Sequence, residues 1–209
     1  MIVLKEIFIK LVANFTDNVG LTNELWVEIE KNYSSKKRHY HTLQHIENLH
    51  MQLFEVKEKL QNWKTILFTL YYHDIIYNPQ KLTNEEKSAK LAQKRMEQIS
   101  VSKEMIENCK HQILATKTHI KSTDNDTNYF TDADLSIFGE NWETYSLYYK
   151  NIRKEYSIYP DFVYNPGRKK VLNHFLGMDA IFKTDVFYHK FETQAKHNLR
   201  KELELLENT

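Results

Sequence analysis

An all-α fold is predicted by three features of the chain. Apolar residues recur at helical spacing along nearly all of the 209 residues, only four glycines and three prolines interrupt them, and no alternating run is long enough to argue for a strand. The pattern predicts helices over residues 3–15, 21–33, 42–59, 63–77, 84–99, 102–117, 141–158, 167–177 and 185–207.

The first of these, within "MIVLKEIFIKLVANF", is broken by Lys5, Glu6 and Lys10 and reads as an amphipathic helix, not a signal peptide. The third is entered through "RHYHTLQHI", Arg38 to Ile46, which puts three of the ten histidines within seven residues. If that stretch opens a helix, His41 and His45 share one face and His39 points elsewhere. The fourth helix carries "ILFTLYYHDII", where an apolar run leads straight into His73 and Asp74 and resumes at Ile75. Burying two ionisable groups without partners costs several kcal/mol or forces them neutral, so this frame calls for a partner, and a cation satisfies both. The dipeptide by itself is a weak signal; its apolar setting is the informative part.

The fifth helix starts at "TNEE", Thr83 to Glu86, a capping-box pattern. Glu85 there either favours the helix N-terminus by its charge or supports a ligand. The sixth helix carries His111, and His119 follows eight residues later, two turns on, so the pair shares a face if the helix runs through Thr118. "KSTDNDTN", Lys121 to Asn128, is polar and turn-forming and is expected to be an exposed loop. It leads into "YFTDADLSIFG", where Asp132 and Asp134 precede an apolar turn that Gly139 closes. The aromatic residues of "YSLYYKNIRKEY" are assigned to helix packing. The last helix has a stripe at Phe191, Ala195, Leu199, Leu203 and Leu206, which packs on the body of the chain or on another subunit of a homo-oligomer.

Composition excludes several classes. With 29 basic and 28 acidic residues the chain has no electrostatic footprint for duplex nucleic acid or an anionic membrane. No run approaches the length of a membrane span. A single cysteine, Cys109, rules out an internal disulfide and fits a reducing, cytoplasmic setting. The length suits one domain, here taken as residues 1–209 with a core over about 36–140 and a C-terminal helical extension over about 141–209.

An upstream imidazole, a His-Asp doublet and a distant aspartate make a mixed nitrogen and oxygen donor set. That chemistry suits borderline or hard divalent ions, Mn, Fe, Co, Ni, Zn or Mg, and not thiolate-loving ones. His45 precedes His73 by 28 residues and Asp74 precedes Asp134 by 60, so a folded scaffold has to bring the donors together.

The order His, His-Asp, Asp resembles the HD superfamily of metal-dependent phosphohydrolases. "RHYHTLQHI", "HDIIYNP", "NEEKSA", "FTDADLSIFG", "IRKEYSIYP" and "GRKKVLNHFL" together resemble a bacterial subfamily described as predicted metal-dependent HD phosphohydrolases, over about residues 20–205. The resemblance implies an HD-type helical bundle with extra C-terminal helices. It also implies one divalent ion held by His45, His73, Asp74 and Asp134. Spacing alone fits His41 and His45 equally; "YHTLQH" is also similar to the corresponding motif of cyclic-nucleotide phosphodiesterases, which implies that His45 is the ligand and His41 a proton donor. An Ala-Asp-Arg-Leu pattern in distant relatives selects Asp134, with Asp132 as the neighbouring alternative. In relatives with two metals, extra histidines hold the second ion, which makes His111 and His119 candidates.

The activity so implied is hydrolysis of a phosphate ester of a nucleotide or similar small molecule by a metal-activated water, with His41, Asp74 and Arg38 in the catalytic set. An anionic substrate needs cations, and arginine's fork matches phosphate. Arg38, next to the histidine cluster, leads, followed by Arg153, Arg168 and Lys169, for which an exposed salt bridge is the alternative. Two rival activities are a metal- and nucleotide-binding module without catalysis and a di-iron oxygenase.

Overall fold

A computed structural model describes residues 2–208. Among them the chain forms ten α-helices, two short 3-10 turns and no strand, so the all-α expectation holds. The helices are α1 (Ile2–Val12), α2 (Val19–Tyr33), α3 (Leu43–Glu55), α4 (Trp63–Tyr72), α5 (Asn84–Gln98), α6 (Lys103–Ala115), α7 (Asn125–Leu135), α8 (Trp142–Glu155), α9 (Asp161–Leu176) and α10 (Asp185–Glu207). The chain divides into two compact units, Met1–Thr131 and Asp132–Thr209, and the division falls inside α7.

In the first unit α4 is the central helix, in contact with α1, α3, α5 and α6. Every residue from Thr65 to Tyr72 is buried, which is why its sequence is apolar on all sides instead of striped. Tyr71 illustrates the packing: its ring meets Phe8 edge-on at 5.0 Å, and its hydroxyl donates to the Leu4 carbonyl at 2.8 Å. Burial pushes that hydroxyl above its ordinary titration range, so it stays a donor. Cys109 is fully buried on α6, and burial pushes its thiol up to about 12, which makes it a packing residue.

Helix starts follow side-chain caps. Asn18, Asn62, Ser102 and Asn141 accept from Leu21, Thr65, Met105 and Thr144 backbone N–H groups respectively. The capping box expected at "TNEE" does not form. Thr83 makes no side-chain cap bond, and the Asn84 side chain is instead paired with the backbone of Asn78 across the preceding loop.

Several boundaries depart from expectation, among them that of α3, which ends at Glu55 and not at residue 59. α4 ends at Tyr72 and not at residue 77, and α9 begins at Asp161 and not at 167, with Pro166 inside it. The largest difference is α7, because "KSTDNDTN" was expected to be an exposed loop. Asp124 instead caps a helix by accepting from the Thr127 N–H at 2.9 Å. Asp126, Thr127 and Asn128 are buried, and Asp126 takes the backbone N–H groups of Gln61 and Asn62 at 2.9 and 2.8 Å. Turn-forming residues are also cap-forming residues, and hydrogen bonds to distant backbone make their burial tolerable.

In the second unit α10 packs on α9 and on the 3-10 turn Ser136–Gly139, which also meets α8. Gly139 is required by close approach, since a Cβ there would overlap Phe191. Phe191, Ala195 and Leu199 of the predicted stripe are buried in the chain itself, while Leu203 and Leu206 are half-buried. This unit also holds a buried ionic knot: Arg168 donates to both carboxylate oxygens of Glu202 at 2.7 and 2.9 Å, and the Tyr145 hydroxyl donates to the same carboxylate.

Candidate metal centre

α4 delivers the His-Asp doublet at its C-terminus, where His73 is the capping residue. His73 Nδ1 lies 3.0 Å from the Leu70 carbonyl oxygen. A carbonyl only accepts, so Nδ1 carries the proton and Nε2 of the neutral ring presents a lone pair. That Nε2 is 3.1 Å from His45 Nε2 and 3.2 Å from Asp74 Oδ2. His45 Nε2 and Asp74 Oδ2 are 3.8 Å apart. The donor atoms of His45, His73 and Asp74 thus all lie within 4.8 Å of one another.

For bonds of about 2.1 Å, ligands on adjacent corners stand about 3.0 Å apart in an octahedron and about 3.4 Å apart in a tetrahedron. Two of the three separations fall in that range and the third exceeds it by a few tenths of an ångström, so the donor set fits a divalent ion of borderline or hard character. The setting supports this fit. His45 and His73 are buried, Phe130 meets the His73 ring edge-on at 5.5 Å, and Tyr40 lies 4.9 Å from the His45 ring, while Asp74 is only half-buried.

His41 is held differently from the expectation. α3 begins at Leu43, so His41 precedes the helix and shares no helical face with His45. Its ring nevertheless lies 5.9 Å from that of His45, its Nε2 is 3.8 Å from Asp74 Oδ2, and its other side rests on Tyr77 at 4.1 Å. His41 therefore adjoins the three-residue donor group without belonging to it, and His39 faces solvent.

The two aspartates of α7 diverge, as residues two apart on a helix must. Asp132 is fully buried and accepts from the Lys183 and Thr184 N–H groups, the Thr184 hydroxyl and the Lys183 ammonium, all at 2.7–2.9 Å. Its carboxylate fastens the entry to α10, which replaces the expectation of Asp132 as an alternative ligand or ligand support. Asp134, in the last turn of α7, is half-buried.

The expected phosphate-binding arginines are committed elsewhere. Arg38 is buried and donates to the backbone carbonyls of His41, Asp74 and Ile75. Arg153 is tied to Asp161 and to the carbonyls of Tyr156 and Tyr159, and Arg168 is in the knot with Glu202. Lys169 is half-buried on α9. α6 ends at Ala115, before His119, and His111 faces solvent, so the face expected to carry both histidines is absent. Glu85 is half-buried in the first turn of α5, where its charge favours the helix N-terminus. Sequence reasoning passed over Tyr77, which had a signal in its place within "HDIIY", and the Leu70 carbonyl, which had none.

Comparison with family models, with curated proteins and with solved structures returned no match for this chain. Among the described residues no helix is long and apolar enough to cross a membrane.

Proposed function

We propose that this chain is a metal-dependent phosphohydrolase that cleaves a phosphate ester of a nucleotide or similar small molecule. The observation that carries the reading is the convergence of His45, His73 and Asp74, with the Leu70 carbonyl fixing the His73 tautomer that offers Nε2 to an ion. The HD resemblance of the sequence supports the same reading and adds Asp134 as the fourth ligand. A bound divalent ion of this class lowers the pKa of water toward neutrality and polarises a phosphoryl oxygen.

The chain's own residues do the rest. His45 and His73 are buried and Asp74 is more exposed, so in this reading substrate approaches past Asp74. His41 gives a proton to the departing oxygen, a step worth typically about 10² to 10⁴ in rate. Its contact with Tyr77 and its 3.8 Å approach to Asp74 keep the imidazole beside the centre without making it a ligand. The one cysteine, buried, suits a reducing, cytoplasmic setting.

The test is to strip the protein with chelator, reload it with Mn, Co, Ni or Mg, and assay a library of phosphorylated metabolites. Hydrolysis that depends on the ion and disappears in His73→Ala is expected. Metal-loaded protein that binds nucleotides yet turns over none of them would replace the enzyme with a binding module. Two irons per chain with oxygen activation would replace it with an oxygenase.

A further inference from the structure

We propose that Arg38 is a positioning residue of the metal centre: its guanidinium pins the turn that carries Asp74, and the His41 segment with it, and makes no contact with substrate. The need for such a pin follows from how α4 ends. In a continuing helix the Asp74 carbonyl would accept from the Asn78 N–H, and the Ile75 carbonyl from residue 79. Residue 79 is proline and has no N–H, and the Asn78 N–H goes to the Asn84 side chain at 3.1 Å.

Arg38 takes both places. Nη1 donates to the Asp74 carbonyl and Nη2 to the Ile75 carbonyl, each at 2.8 Å, and Nη1 also donates to the His41 carbonyl at 3.1 Å. The turn is held from its other side by Ser88, whose hydroxyl accepts from the Ile76 N–H at 3.1 Å. The guanidinium carbon lies 4.8 Å from the centre of the Tyr33 ring and 5.6 Å from that of Tyr77. Tyr77 in turn carries the His41 ring at 4.1 Å with a 30° tilt. One side chain therefore fixes the backbone of the doublet, the backbone of the proton donor, and the aromatic surface against which that donor rests. Only arginine can do this: its planar fork reaches consecutive carbonyls and stacks on aromatic faces, whereas lysine offers one nitrogen. With only 8 % of its surface exposed, Arg38 has little left to offer a phosphate.

The inference rests on the metal-centre reading for its link to function but not for the pin itself, and two measurements on Arg38→Met and Arg38→Lys keep these apart. The first is amide hydrogen exchange in metal-free protein. Both variants should exchange at least about 10-fold faster over residues 73–77, with α10 unchanged. The second is a cobalt titration followed by visible absorption, in which both variants should bind about 10- to 100-fold more weakly and with an altered spectrum. If Arg38→Met fails to fold, Arg38→Lys decides. Wild-type exchange together with wild-type cobalt affinity in the variants would overturn the proposal, and a raised KM alone would return Arg38 to the substrate. Wild-type protein that takes up no cobalt sinks the metal reading, and with it the link to the centre, whatever the exchange shows.

Discussion

The two units each bury ionisable side chains, but they do so in opposite ways. In the second, Arg168 meets Glu202 through two hydrogen bonds and Tyr145 adds a third, so donors face acceptors. Burial opposes the charge of the Arg168 guanidinium, yet Tyr148 and Glu202 beside it hold it protonated well above its ordinary range. In the first unit a ring nitrogen faces a ring nitrogen at 3.1 Å with a carboxylate oxygen alongside. Complementary buried charge holds a fold together. Nitrogen and oxygen donors gathered this closely are compatible with a metal ion between them.

The knot should give the largest stability effect. Glu202→Ala leaves a guanidinium buried without its carboxylate, which costs about 3–5 kcal/mol. The melting temperature should fall on the order of 10 °C. Replacing the pair by Met and Leu should recover most of that loss, because a buried pair is often matched by apolar residues of similar volume. A double variant as unstable as Glu202→Ala would break the comparison, by showing that the knot contributes more than its own pairing.

The centre should respond to an ion and not to pairing. An ion bound only by the native state adds RT ln(1 + [L]/Kd), about 2.7 kcal/mol at a hundredfold excess over Kd. Chelator should lower the unfolding midpoint of the wild type, Mn or Ni should restore it, and His45→Ala should be insensitive to both. A midpoint that ignores the ion, in protein shown by elemental analysis to have been stripped, would place the first cluster in the same class as the second.

The aspartates of α7 carry the contrast within one helix. Asp132 accepts four hydrogen bonds from Lys183 and Thr184, counting the ammonium, so Asp132→Asn sets an amide N–H₂ against donors and should cost about 2 kcal/mol. Asp134→Asn, at a half-buried position where Asp132 is fully buried, should cost less metal-free stability than Asp132→Asn and abolish the stabilisation by Mn. The reverse outcome in a pair of thermal melts would exchange their roles.

How far these distinctions were legible in the sequence depended on the kind of signal. Helical period and the scarcity of glycine and proline were enough for the all-α class, and the apolar frame around His73 and Asp74 was enough to mark them for a partner. α7 was hidden because "KSTDNDTN" has the composition of a loop, and the groups that make its burial tolerable, the Gln61 and Asn62 N–H groups, are far away in sequence. Two of the arginines were hidden for the same reason. Arg38 and Arg168 resemble phosphate ligands until their partners are known, and those partners include backbone carbonyls 36 and 37 residues away and a carboxylate 34 residues away, whereas Arg153 makes the exposed salt bridge, with Asp161, that its sequence left open.

The smallest effect separates two histidines on α3. His45 faces the centre, whereas His50 is half-buried against Phe54 and Trp63, with ring separations of 5.9 and 6.0 Å. Burial lowers the His50 pKa, and the Glu47 carboxylate only partly opposes this. A histidine whose folded pKa lies below its unfolded value of about 6.5 takes up its proton more readily when unfolded. Its contribution is therefore complete above pH about 6.5 and is lost as the pH falls from there through the lower folded value. Urea midpoints of the wild type should drop between pH 7.5 and 5.5 by more than those of His50→Leu, since the remaining titrating groups are common to both. The Mn-dependent shift should be the same in the two proteins. Parallel pH profiles would mean that His50 titrates as freely folded as unfolded, and a Mn shift lost with His50 would extend the centre one further turn along α3.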